Sequence, residues 1–235
     1  MNASFYSGAR GMITEQDKLN VISNNVANVN TVGYKSKSSV FMDLMYYNMH
    51  SQDRVTTGTG VRMQHTNTDF SSNGVTAAAE GGFNFSILDQ DGFFMLRNQT
   101  TNEITYTRAG NFSVSLHNDG YFYLLSDAQK YVLDGNGNPI RYINEELTGR
   151  PGVFTFANTN GMESVGSTEF SPVPKNGNPI RVDGANVMEG YLELSNTDMA
   201  QEMSDTVVAS RAYTYALKMV QTSDEIEQTV NGLRS

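Results

Sequence analysis

The chain has 235 residues, with 16 Lys and Arg against 25 Asp and Glu, and its net charge of −9 argues against a nucleic-acid-binding surface. Charged residues make up only 17% and Cys is absent, which excludes disulfide scaffolds, thiolate metal sites and cysteine nucleophiles. The 24 Asn, with frequent Ser and Thr, suit a surface covered by partners better than that of a lone soluble protein.

Residues 1–33 read as a helix. Phe5, Met12, Leu19, Ile22, Val26 and Val29 fall on one ladder of 3-4 spacing, interrupted by Gly8 and Glu15. Gly33 is the expected C-cap, after the poor helix formers Thr31 and Val32. Asn20, Asn24 and Asn28 form a second stripe at i, i+4 and i+8, and Asn25 is counted with it. A solvated face would use Glu, Lys or Arg, which favour helix more than Asn does. Amides can instead pair across packed helices without the desolvation cost of charges, so this face is expected against neighbouring subunits. The opening Met1-Asn2-Ala3-Ser4-Phe5-Tyr6-Ser7-Gly8 lacks the basic and apolar regions of a cleavable signal. No apolar run approaches the ~20 residues of a membrane span, so membrane insertion is not expected.

Residues 34–72 carry few strong patterns: an apolar stretch from Phe41 to Tyr47, then Thr56-Thr57-Gly58-Thr59-Gly60. They read as an extended connector. Residues 73–195 change character. Turn pairs such as Asn73-Gly74, Asp91-Gly92, Asp119-Gly120 and Asp134-Gly135 separate short aromatic and β-branched runs, including Phe93-Phe94-Met95-Leu96 and Tyr121-Phe122-Tyr123-Leu124-Leu125. That spacing predicts an antiparallel β-domain. The hexapeptide Asn-Gly-Asn-Pro-Ile-Arg occurs at 136–141 and again at 176–181, which predicts two similar hairpin turns.

Residues 196–235 return to helical spacing. Asn196 is the expected N-cap, with Asp198 in the first turn. Val208, Ala212, Tyr215, Met219, Ile226 and Leu233 keep a heptad seam, with Thr222 and Thr229 at its remaining positions. Two long helices at opposite ends of a chain invite pairing, yet two alone leave much apolar surface exposed. The fold class is therefore α+β: terminal helices paired as a coiled inner domain, with an antiparallel β-domain inserted between them. The seam residues of both helices and the Asn stripe are the candidate assembly interface.

The catalytic inventory is thin. His50, His65 and His117 are the only histidines, and no two sit at a metal-ligand spacing. Gly-x-Ser-x-Gly and Walker-type motifs are absent, and Gly58-Thr59-Gly60 lacks the third glycine of a dinucleotide loop. Asp89, Asp91 and Asp119 could pair for glycoside hydrolysis, but each sits beside a turn, where Asp caps local backbone. The run from Asp134 through Asn136 and Asn138 to Glu145 matches EF-hand ligand positions 1, 3, 5 and 12. Pro139 occupies position 6, where the loop needs Gly, so a hairpin turn is the simpler reading. No catalytic residue, metal ligand or cofactor site is expected. A calcium-binding β-rich surface module and a carboxylate hydrolase are the alternatives from other classes.

The run Leu19-Asn20-Val21-Ile22-Ser23-Asn24-Asn25-Val26-Ala27-Asn28-Val29-Asn30-Thr31-Val32-Gly33-Tyr34-Lys35 closely resembles the N-terminal signature of the bacterial flagellar rod and hook proteins, the axial hook–basal body family. Gly58-Thr59-Gly60-Val61 is similar to its connector element. Gly92-Phe93-Phe94 with Tyr106-Thr107-Arg108-Ala109-Gly110-Asn111-Phe112 resembles its β-domain signature. Leu194 to Met203 and Ala209-Ser210-Arg211-Ala212-Tyr213 resemble its C-terminal signature, which with Gly161-Met162-Glu163-Ser164-Val165-Gly166 looks most like the distal section of the rod. The segment from Tyr47 to Gly58 is shorter than the polar insert common there, which keeps a proximal rod member as the alternative.

The resemblance implies paired terminal helices lining a central channel, with a β-domain outside. It implies export by the flagellar type III apparatus without a cleaved signal, and helical self-assembly in the basal-body rod without catalysis. The implied partners are copies of the chain itself, other rod and hook proteins, the export apparatus and envelope ring proteins, with no nucleic acid.

Overall fold

The computed structural model describes residues 3–48, 56–117 and 119–233. Ala3–Ala27 forms helix α1, in which Met, Leu, Glu, Gln and Lys supply helix propensity. It ends where the sequence turns to Asn28-Val29-Asn30-Thr31-Val32, so the last rung of the apolar ladder, Val29, lies beyond it. Gly33 stands six residues past the helix rather than at its cap. It adopts φ +66° in a following turn, where a Cβ would sit 2.3 Å from the Ala109 nitrogen. Met199–Gly232 forms helix α2, about 51 Å long at ~1.5 Å per residue. Its N-cap is Asp198, whose carboxylate accepts from the backbone N–H groups of Ala200 and Gln201. Asn196, the cap expected from sequence, is engaged elsewhere. Its amide accepts from the Ser36 N–H and donates to the carbonyls of Asp69 and Ser72.

The chain divides into two compact units. The first comprises Met1–Ala27, Lys37–Asn67 and Asp198–Ser235. Within it α1 and α2 pack antiparallel, since Ser4 meets Ser223 at one end and Asn25 meets Glu202 at the other. The contact is made by small residues. A Cβ on Gly8 would lie 3.0 Å from Val220, and one on Gly11 3.6 Å from Ala216. Ala209 is fully buried and Ser223 nearly so. This packed face runs one residue out of phase with the seam read from the sequence, a rotation of about 100° around the helix. Close approach of two helices favours Gly, Ala and Ser, and most of the large seam residues of α2 are left exposed, while on α1 the seam residue Ile22 is buried.

The segment read as an extended connector is folded. Lys37–Asp43 and Val61–Thr68 form a two-stranded ladder, and Tyr46–Asn48 pairs antiparallel with Thr56–Gly58. The ladder is tied to α1 at two points. The Thr14 hydroxyl lies 3.1 Å from the Val61 carbonyl, and the Asn25 amide makes a reciprocal pair with the backbone of Lys37, at 2.8 and 2.9 Å.

The second unit comprises Asn28–Ser36 and Thr68–Thr197 and is built on a 13-stranded sheet. Its central strand, Phe93–Arg97, explains its own sequence. Phe93 and Met95 enter a core with Phe70, Tyr106, Phe156 and Phe170, while Phe94 and Leu96 enter another with Phe85, Leu124 and Val132. A strand buried on both faces reads as a continuous apolar run instead of an alternating one.

The repeated hexapeptide adopts two structures. At 136–141 it forms the predicted hairpin turn, with Gly137 at φ +82° and Ile140 buried. At 176–181 Asn176 closes a short 3-10 turn and is itself fully buried, donating to the carbonyls of Asn158 and Asn160, while Ile180 is 53% exposed.

Candidate functional site

The sequence points to surfaces that hold subunits together, and the first unit separates the predicted residues into inner and outer sets. Ile22 and Asn25 are buried; Met12, Leu19, Val26, Asn28 and Ala212 are half-buried. Asn20 and Asn24 are exposed on α1, as is Phe5 at 38%. On α2, Val208, Tyr215, Met219, Ile226 and Leu233 are all more than half exposed. Val230 joins them, so α2 from Val208 onward carries an exposed apolar stripe beside the face that meets α1, while Met203 and Val207 are exposed elsewhere around the helix.

Asn25 corrects the reading of the Asn face. It is 2% exposed, and its amide is spent within the protomer on Lys37 and on the Glu202 carboxylate at 2.7 Å. A side chain with both donors and its acceptor satisfied internally locks the local fold and offers nothing to a neighbour. Burial raises the Glu202 carboxyl above its ordinary value even though Asn25 donates to it.

The second unit holds an ionic cluster that sequence spacing did not reveal. Glu193 accepts from Lys35 at 2.9 Å and from Arg108 at 3.0 Å, and the side chains of all three are 1–2% exposed. The cluster is saturated. Lys35 also donates to the Ser72 carbonyl, the Gly74 N–H donates to Glu193, and Arg108 reaches the carbonyls of Asp89 and Gly92 and the Asn73 amide oxygen. Desolvation lowers the Lys35 pKa despite the Glu193 carboxylate beside it. With separations of 158 and 85 residues, no spacing rule links these groups. The advance signal covers two of the three: Lys35 and Arg108 are each the one charge in their motif, whereas Glu193 lies just outside the C-terminal motif.

The other candidates are spent on local structure. The Asp134 carboxylate accepts from the backbone N–H groups of Asn136 and Asn138 at 2.8 and 2.9 Å, which closes the turn read alternatively as a calcium loop. Asp89 accepts from the Asn186 N–H, and Asp119 from the Tyr123 hydroxyl. Asp91 occupies a turn at φ +59°. His65 is exposed, His117 stands edge-on to Tyr123 and Tyr131, and His50 lies outside the described residues. Among the described residues no group of three His, Asp or Glu is placed to hold a metal ion.

Comparison with known proteins follows this division of the chain. A family model for flagella basal body rod protein matches residues 5–35, and one for the C-terminal part of the flagellar basal body rod FlgEFG proteins matches residues 188–233. The flagellar basal-body rod protein FlgG of Bacillus subtilis is 32% identical, with 100% of both chains covered. That of Agrobacterium fabrum is 28% identical over 95% of this chain and 96% of its own. The flagellar hook protein FlgE of Caulobacter vibrioides is 30% identical over 60% of this chain but only 23% of its own length. Two paired terminal helices, a β-rich insertion and full-length likeness to rod proteins agree: this chain belongs to the flagellar basal-body rod protein family.

Proposed function

We propose that the chain is a structural subunit of the distal section of the rod, adding to a growing helical tube that serves as the drive shaft of the flagellum. One observation carries the mechanism: the apolar stripe along α2, with Tyr215 68% and Met219 56% exposed, on a helix already packed by the adjoining face. Full burial of an exposed apolar side chain is worth about 1.5–3 kcal/mol; these are roughly half exposed and each gains about half of that, so a neighbouring subunit that covers several of them can offset the cost of ordering both surfaces. The likeness to hook protein supports contacts with other axial proteins besides copies of the chain itself. Export without membrane insertion is in keeping with helices too short or too polar to cross a bilayer among the described residues. The work of the protein is assembly and torque transmission; catalysis has no part in it.

The test is in cells that lack their own copy of this protein. The double variant Tyr215→Glu, Met219→Glu should be made at normal levels and fold with unchanged far-UV circular dichroism. Basal bodies purified from those cells should end before the distal rod. Complete rods built from that variant would refute the assignment.

A further inference from the structure

The first unit presents a concave surface as well as the convex stripe. A groove of about 720 Å³ is lined by Ser7 and Gly11 of α1 together with Phe41, Tyr46, Gly58 and Gly60. Its glycines allow Tyr46 and Arg10 to lie close against the backbone of Gly58 and Gly60, and Phe41 and Tyr46 are 38% and 61% exposed beside it. Two cations border it. The Arg10 side chain lies against Gly60, and the Arg62 guanidinium rests on Met42, which also lines the groove. The one carboxylate there, Asp43, already accepts from the Tyr46 hydroxyl.

The end of α2 has the complementary properties. Ser223 sits level with Ser4, so the last turns of α2 run past Ala3, where α1 starts. That overhang carries Ile226, Val230 and Leu233 at helical spacing, 52%, 57% and 84% exposed. Asp224, Glu225 and Glu227 accompany them, and no Lys or Arg occurs from Gln221 to Leu233. Glu225 and Glu227 flank Ile226, about 100° to either side of it around the helix.

We infer that the groove at Gly11, Gly58 and Gly60 receives the C-terminal turns of α2 from a second copy of the chain, with Glu225 facing the Arg10 and Arg62 edge. The inference rests on the assembly reading above and specifies its contact. A knob at one place and a socket at another make a heterologous contact, which does not close as a two-fold dimer and propagates into an open helix where its rotation does not close a ring.

The chain contains no Cys, so introduced thiols report one contact at a time. Tyr46→Cys and Ile226→Cys are placed in separate full-length preparations, mixed, brought to polymerising concentration and oxidised. The expected product is a disulfide-linked heterodimer, formed only in the polymer and absent when Met203→Cys replaces Ile226→Cys. Separately, the double variant Arg10→Glu, Arg62→Glu should raise the critical concentration for polymerisation about tenfold, and adding Glu225→Arg should restore much of the loss. Polymer of normal appearance with no 46–226 product, or with an unchanged critical concentration in the charge variant, would overturn the inference while leaving the assembly reading intact. Failure of the unmodified chain to polymerise at any concentration would overturn both.

Discussion

Glu193 compensates two buried cations of the second unit, Lys35 and Arg108. Glu193→Ala leaves Lys35 and Arg108 uncompensated, and breaking a buried ion network in this way costs about 3–5 kcal/mol. Thermal unfolding followed in the aromatic circular dichroism should show a marked drop in Tm. Glu189→Ala, which removes only the exposed pair with Arg150, should change stability by less than ~1 kcal/mol. Glu202 yields a prediction of opposite kind. Burial raises its carboxyl above the ordinary 4.5, so above that pH the native state retains a proton that the unfolded chain releases. The contribution of Glu202 is full below 4.5 and is lost as pH rises through the native value. Urea titrations should therefore show the stability of the wild type, relative to Glu202→Gln, falling between mildly acid and neutral pH. Neither effect was legible in the sequence. A carboxylate 158 residues from its lysine, or one desolvated by a helix 177 residues away, leaves no local pattern.

At the scale of elements, the existence of both helices was readable and their contact face was not. Periodicity identifies a stripe of large apolar residues but does not say what covers it. In α2 the large residues Val208 and Tyr215 are mostly exposed and Met219 only grazes α1, while Ala216, Val220 and Ser223 meet α1 and Ala209 is fully buried. The cap was missed by two residues for a related reason, since Asn196 and Asp198 are equally good caps in isolation and the tertiary bonds of Asn196 decide between them. The folded pairs within residues 37–67 were missed because their two main strands, seven and eight residues long, carry many polar residues and no strict apolar alternation. The inner face can be tested directly. Gly8→Leu drives a branched side chain into Val220, already 3.0 Å from the position of a Cβ, and overpacking of this kind costs about 1–3 kcal/mol. Ile22→Pro is harsher. Ile22 is 6% exposed in the last third of α1, still inside the helix, and a proline in a helix interior costs about 3 kcal/mol or more. Both variants should lose helical signal at 222 nm, a wavelength at which helices dominate, while the aromatic spectrum of the second unit is retained.

Across the whole molecule, two adjoining faces of α2 differ in character. The small-residue face holds the protomer together, and the large-residue face, with the overhanging end, is the one we propose holds protomers to one another. Such a design keeps a folded subunit sticky along one stripe, which agrees with a chain low in charge and rich in amides. The β-domain was the most legible part, because turn pairs and doubly buried apolar runs are local signals. Assembly was the least legible, because it depends on which faces remain uncovered once the protomer has folded. The central claim is that the exposed stripe drives polymerisation. Its most direct test is light scattering with negative-stain electron microscopy on the full chain at rising concentration, beside the Tyr215→Glu, Met219→Glu variant. The account predicts filaments from the wild type above a threshold and a monomer of equal helicity from the variant. Filaments from both at the same threshold would contradict it.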